Sequence, residues 1–221
     1  MRILSQNLAH GLLSWLPLAR REQEIAKSMA VFERFLTSAE VDVVCVQELA
    51  SEAPLALREF PYVHRVRARG SDVAIASRRP LSRHGGCAFP RAGVGKAGAW
   101  ASVVDGHGAV RVGSMHLAVL SPFARRHQLA HAVSVAEASG EPIFLVGDTN
   151  EPRARVFDAW ARPHGLTTEE PGASFPAALP ALRLDRAIYS EGLRVREARS
   201  HDAKMSDHRA VMFEVWGQSV A

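Results

Sequence analysis

Nine short apolar runs constrain this chain more than any other feature. They fall at residues 2–7, 41–47, 72–77, 99–104, 109–116, 143–147, 184–189, 193–198 and 209–216. Runs of this length, bounded by turn-forming residues, read as β-strands. Three segments read as helices instead. Residues 20–39 place Ile25, Met29, Phe32 and Leu36 at three- and four-residue spacing, with charges on the other face. Residues 121–139 open on Ser121-Pro122, an N-cap followed by proline, and stop at Gly140. Pro152 opens the third helix, 152–161, which carries Val156, Phe157 and Trp160. The Gly-rich stretch 91–98 and the Pro-rich stretch 171–180 read as long surface loops. Strands outnumber helices, and several follow one another directly. This predicts an α+β or layered sandwich rather than an alternating βαβ sheet. With no repeat and no linker, residues 1–221 are expected to form one domain.

Composition excludes some classes. Hydrophobic residues make up 47% and charged residues 23%, as in ordinary globular proteins. No run approaches the roughly 18 apolar residues of a membrane span, and no secretory signal opens the chain. Cys45 and Cys87 lack metal-site spacing. A reduced, cytoplasmic setting without a membrane partner is the expectation. The formal net charge is +4, compatible with an anionic partner. The chain has 24 Arg against 3 Lys. Arginine grips phosphate bidentately, but such a bias also arises from genomic base composition.

The residues at the strand ends carry the chemistry. In "PIFLVGDTNEPR", residues 142–153, a buried strand runs into Asp148 and Asn150. Alone, that reads as a turn. Other strand ends match it, however. Asn7 closes "RILSQN", Glu48 follows "VDVVCVQ", and His116 closes "RVGSMH". Asp185 opens the strand in "LRLDRAIYS", and Ser206, Asp207 and His208 precede the last strand. Turn chemistry does not call for this set of carboxylates, amides and two imidazoles. Magnesium and manganese take hard oxygen ligands, and one or two carboxylates suffice. Phosphoester hydrolysis needs charge neutralisation, an activated water and proton transfer, which metal and histidine can supply. Asp185 and His208 can form an oriented carboxylate–imidazole pair.

The ordered motifs "QN" (6–7), "VQE" (46–48), "ASRRP" (76–80), "SMHL" (114–117), "GDTN" (147–150), "RLDRAI" (183–188) and "SDH" (206–208) resemble the endonuclease/exonuclease/phosphatase superfamily. The relevant members are of the exonuclease III and pancreatic deoxyribonuclease type. The resemblance runs from Asn7 to His208. It implies a four-layered α/β/β/α sandwich of two mixed β-sheets flanked by helices. It also implies roles. Glu48 would be the main ligand of Mg2+ or Mn2+, completed by Asn7 and Asp207. Asp148 would orient or deprotonate the attacking water, and Asn150 would hold the phosphate. His208, held by Asp185, would contact phosphate or act as base. His116 would contact phosphate or assist the leaving group. The chain departs from the family pattern at Gln6, often Trp, and at Thr149, usually aromatic.

The resemblance implies a metal-dependent phosphodiesterase. A DNA nuclease is expected first, leaning to 3′–5′ exonuclease action by a monomer, with RNA also possible. Arg78, Arg125, Arg126 and Arg153 lie near the motifs and are the expected backbone contacts. The alternatives are a phosphatase or phosphodiesterase acting on a lipid or small phosphorylated molecule, and a non-catalytic nucleic-acid-binding module.

Overall fold

The computed structural model describes residues 1–53, 59–89, 96–106 and 108–217. Most of the expected 91–98 loop therefore lies outside the described residues. Among the described residues, twelve strands form two six-stranded mixed sheets with three α-helices on their outer faces. The first sheet has the order β11 (Leu193–His201), β12 (Ala210–Gly217), β1 (Arg2–Asn7), β2 (Val43–Leu49), β4 (Asp72–Ser77), β3 (Tyr62–Val66). The second has β5 (Leu81–Ala88), β6 (Ala97–Asp105), β7 (Gly108–His116), β8 (Ile143–Asp148), β10 (Asp185–Ser190), β9 (Leu166–Glu169). This is the α/β/β/α sandwich that the resemblance implies.

Strand periodicity builds the layers. Successive side chains point to opposite faces. Ile3, Val43, Cys45, Val73 and Ile75 face inward and meet Val112, Phe144 and Val146 of the other sheet. Their neighbours Leu4, Val44, Val46, Ala74 and Ala76 face outward onto Ile25, Met29, Phe32 and Leu36 of α1 (Leu18–Ala39). On the other side, Ile143 and Leu145 meet Leu129 and Val133 of α2 (Pro122–Glu137) and Phe157 of α3 (Ala154–Ala161). Strands buried on both faces read as continuous apolar runs, which is why they stand out in the sequence.

Three strands, β3, β5 and β9, are not anticipated by the apolar runs. Each is a sheet edge. Edge strands such as "LSRHGGCA" are partly solvated and carry polar residues and glycine, which erases the signal. The N-cap reading of Ser121 holds, since its side chain accepts from the Ala124 N–H. Pro152 does not open α3. The helix starts at Ala154, because Glu151 holds the Arg153 backbone and side chain outside the first turn. No helix among the described residues is long and apolar enough to cross a membrane.

Candidate active site

Strand register assembles the site at one end of the sandwich. In the parallel pair β7–β8, His116 lies beside Asp148, and in the antiparallel pair β8–β10, Asp148 lies beside Asp185. In the other sheet, the parallel pair β1–β2 sets Asn7 beside Gln47, next to Glu48. Beneath the site, Gln47 donates to Ser114 Oγ at 2.9 Å and to Ser5 Oγ at 3.1 Å, tying one sheet to the other.

Local backbone geometry aims the groups. Glu48 has φ of 50° at a register shift in β2, and Asn150 has φ of 50° just past β8. Both sit in the left-handed region, which is uncommon for residues other than glycine and is concentrated at functional sites. Gly147, at φ of 151°, must be glycine, because a Cβ there would fall 2.0 Å from the Met115 carbonyl oxygen. That close approach packs β8 against β7 just before Asp148.

Asp148 is the hub. Its Oδ2 accepts from Asn7 Nδ2 at 3.0 Å and lies 3.4 Å from His116 Nε2 and 3.8 Å from His208 Nε2. Its Oδ1 accepts from the Asn150 N–H at 2.9 Å. Burial pushes its pKa up. The hydrogen bond with His116 and the charges of His208, His116 and Lys96 outweigh burial and hold the carboxyl well below the usual range. His208 Nδ1 bonds Asp185 Oδ2 at 2.8 Å, and Ser174 Oγ donates to the same oxygen at 2.6 Å. Burial pushes the imidazole pKa down, but Asp185, then Asp148 and Asp207, raise it to about 10. His208 is therefore an imidazolium at neutral pH, offering an Nε2–H toward the centre.

Glu48, His116 and Asp148 each offer a ligand atom, and these atoms lie within 4.8 Å of one another. Glu48 retains 22% side-chain exposure, so solvent reaches it. Asn7 turns its amide nitrogen to Glu48, at 3.4 Å, and to Asp148, while its oxygen accepts from the Ala9 N–H. Asp207 is half-buried. Burial raises its pKa, His208 opposes this, and Glu48 adds to the rise.

Lys96 is a member the sequence reading missed. It is buried, and its Nζ contacts both ring nitrogens of His116. Burial lowers its pKa against the pull of Asp148 and Glu48. It lies within the Gly-rich stretch, so no local pattern marks it.

The expected phosphate-binding arginines are not brought together here. Arg78 lies at the opposite end of the first sheet, donating to the Val41 carbonyl and paired with Glu59. Arg125 is buried and donates to the Ala118 and Val119 carbonyls and to Glu151. Arg153 is bound to Glu151 through Nε at 2.7 Å and Nη2 at 3.0 Å. Arg126 is exposed on the first turns of α2, a surface position.

The model described as "Endonuclease/Exonuclease/phosphatase family" matches residues 4–208. Among solved structures, an endonuclease/exonuclease/phosphatase from Bacteroides vulgatus superposes with a TM-score of 0.79 at 14% identity, covering 98% of each chain. D. rerio TDP2 complexed with single-strand DNA product gives 0.74 at 18% identity, covering 98% of each. The Bacteroides thetaiotaomicron mannosyl-6-phosphatase Bt3783 gives 0.76 at 14% identity, covering 98% of this chain and 99% of that one. No curated protein matches the sequence. At these identities the likeness is one of fold.

Proposed function

Because the chain belongs to the endonuclease/exonuclease/phosphatase family, we propose that it hydrolyses a phosphoester with one hard divalent cation, magnesium or manganese. The observation that carries this reading is the convergence of Glu48, His116, Asp148 and His208 at one strand-end cluster, with Asp185 behind His208. The donor set fits such an ion. Two carboxylates and a ring nitrogen lie within reach of one another, and the Glu48 charge adds to the burial that raises the pKa of Asp207, a cost a bound cation would relieve. Glu48 would hold it, with Asp207 and Asn7 alongside, leaving Asp148 to the attacking water. When bound, the ion withdraws charge from the phosphate and acidifies water.

The chain's own groups do the rest. Asp148, held ionised, takes the proton of the attacking water. The water oxygen bonds to phosphorus as the bond to the leaving oxygen breaks. That oxygen departs with the electron pair and is protonated from solvent. The imidazolium of His208, the free amide N–H of Asn150 and the Lys96 ammonium are donors for the phosphoryl oxygens, where negative charge grows. Asp185 fixes the tautomer and orientation of His208.

For the substrate we adopt the alternative weighed from the sequence, a lipid or small phosphorylated molecule, ahead of DNA. Three of the four arginines expected on a nucleic-acid backbone are engaged by internal partners. The fold does not choose, since a DNA-complexed protein and a mannosyl-6-phosphatase share it. The test is Glu48→Gln, with metal titrated by calorimetry and bis(p-nitrophenyl) phosphate as substrate. Metal affinity and turnover are expected to fall by about tenfold or more, with unchanged circular dichroism. Undiminished wild-type hydrolysis in excess chelator overturns the reading.

A further inference from the structure

Among the described residues, eleven large apolar side chains are exposed, and eight of them sit on three segments bordering the catalytic cluster. Leu12, Trp15 and Leu18 follow Asn7. Val119, Leu120 and Phe123 follow His116. Leu179 and Leu182 lie on the stretch before Asp185. The exposures are high: 93% for Leu120, 79% for Trp15 and Leu179, and 67% for Phe123.

Each segment is fastened to a catalytic group. The 3-10 turn His10–Trp15 packs on Glu48 so closely that a Cβ at Gly11 would lie 2.8 Å from Glu48 Oε2. Asn150 Nδ2 donates to the Leu117 carbonyl at 3.0 Å. Arg125 then clamps the Ala118 and Val119 carbonyls to Glu151, so the chain presenting Leu120 is held in place. Phe175 packs on the His208 ring at 4.9 Å, and the Ala177 N–H bonds the Asp207 carbonyl at 2.7 Å. The result is an apolar collar around a charged centre. A groove of about 340 Å³ continues from Asp207 between Leu8, Leu12, Val31 and Met205, with Glu24, Lys27 and Lys204 also on its wall.

Whatever covers this collar must also deliver a phosphoester to the centre it surrounds. Six of its eight side chains are aliphatic, and Trp15 and Phe123, set on separate segments, are the aromatic faces it offers for base stacking. Arg125, the arginine built into it, is spent on carbonyls and Glu151. Leu, Phe and Trp around a polar centre suit hydrocarbon, and a net charge of +4 suits an anionic surface. We propose that the catalytic face docks on a lipid surface and that the substrate is the phosphoester headgroup of an amphiphile. This rests on the phosphoesterase reading and names its substrate class. The expectation of no membrane partner came from the lack of a spanning segment, which interfacial docking does not require.

The experiment uses the full chain with Leu120→Asp and Trp15→Ser, both surface changes outside the catalytic machinery. Vesicles of mixed phosphatidylcholine and phosphatidylglycerol are sedimented with protein in chelator, so that binding is read without catalysis. Wild type is expected to co-sediment, and each variant to lose about tenfold or more in partitioning, the value of one large side chain returned to water. A short-chain phosphatidylcholine, with metal, should be cleaved several-fold faster above its critical micelle concentration by wild type only. Both variants should cleave soluble bis(p-nitrophenyl) phosphate like wild type. Three results overturn the proposal: no vesicle binding, equal binding by the variants, or collar-dependent binding of single-stranded DNA or self-association in place of vesicle binding. If vesicles bind but no phosphoester is cleaved with metal present, the phosphoesterase reading fails and the docking surface stands.

Discussion

At the end of the sandwich where β1 starts and β4 stops, charges are outside: Arg2 pairs with Glu40 and Glu214, and Arg78 with Glu59. At the other end Asp148, Asp185, His116, His208 and Lys96 are inside, and Trp15, Leu120 and Phe123 are outside. The same strands run between the two ends, so stability alone does not account for the inversion. Exposed ion pairs contribute little, about 0–1 kcal/mol. Buried charges cost several kcal/mol unless they are mutually paired. The end with the candidate site tolerates its charges because carboxylates and cationic groups meet there: His208 on Asp185 across the two sheets, and His116 beside Asp148 within one. The contrast marks the end of the sandwich that carries the candidate site.

The largest break in that contrast should come from Asp148→Asn. It removes the proposed proton acceptor and the carboxylate beside His116, and kcat/KM on a phosphodiester should fall about 10³-fold or more. The measurement is steady-state kinetics beside a folding check. A loss under tenfold would deny Asp148 its role as base.

A second test asks whether Asp185 and His208 act as one device. Each single change, Asp185→Asn or His208→Ala, is expected to cost about 10²-fold, and the double variant little more than His208→Ala alone. Losses that multiply would break the pair, whatever its 2.8 Å contact suggests.

The third concerns stability beside the site. His10 is buried, its Nδ1 accepting from the Ala50 N–H at 3.3 Å and its Nε2 3.1 Å from Ser28 Oγ. Burial lowers its pKa to about 4, with Glu52 and Glu48 opposing and Arg21 assisting. The folded pKa is depressed, so the unfolded chain binds the proton more readily. The stabilisation is full above pH about 6.5 and is lost as pH falls toward 4, on the order of 3 kcal/mol in all. Denaturant midpoints of wild type minus His10→Gln should decline across that window. A flat difference would place the ring in contact with water.

The smallest effect is expected at the far end. Arg78→Ala should change phosphodiester turnover less than twofold and stability by at most about 1 kcal/mol. A large loss of DNA cleavage there would restore the backbone-contact role expected from the sequence.

Much of the site was legible because β-strands advertise themselves. Asn7, Glu48, His116, Asp148 and Asp185 each stand at the boundary of an apolar run, where a polar group is conspicuous, and their order along the chain matched a known pattern. The edge strands β3, β5 and β9 were not legible, since half-solvated strands have no apolar run to show. Lys96 was missed for a related reason: a lysine within a Gly-rich stretch reads as solvated until the fold buries it against His116.

The sequence by itself determined the two-faced strands, the layered architecture they require and the chemical types gathered at their ends, because side-chain alternation and residue chemistry are local properties. Only the tertiary structure decided which charges are free. Arg125 and Arg153 read alike as phosphate ligands in the sequence, but the fold buries Arg125 against Glu151, 26 residues away, and leaves Arg153 paired with the same carboxylate at the surface. His208 became a held cation only where Asp185, 23 residues distant, reached it. The apolar collar likewise exists only in three dimensions, because exposure is a property of what packs beside a residue and not of the residue itself.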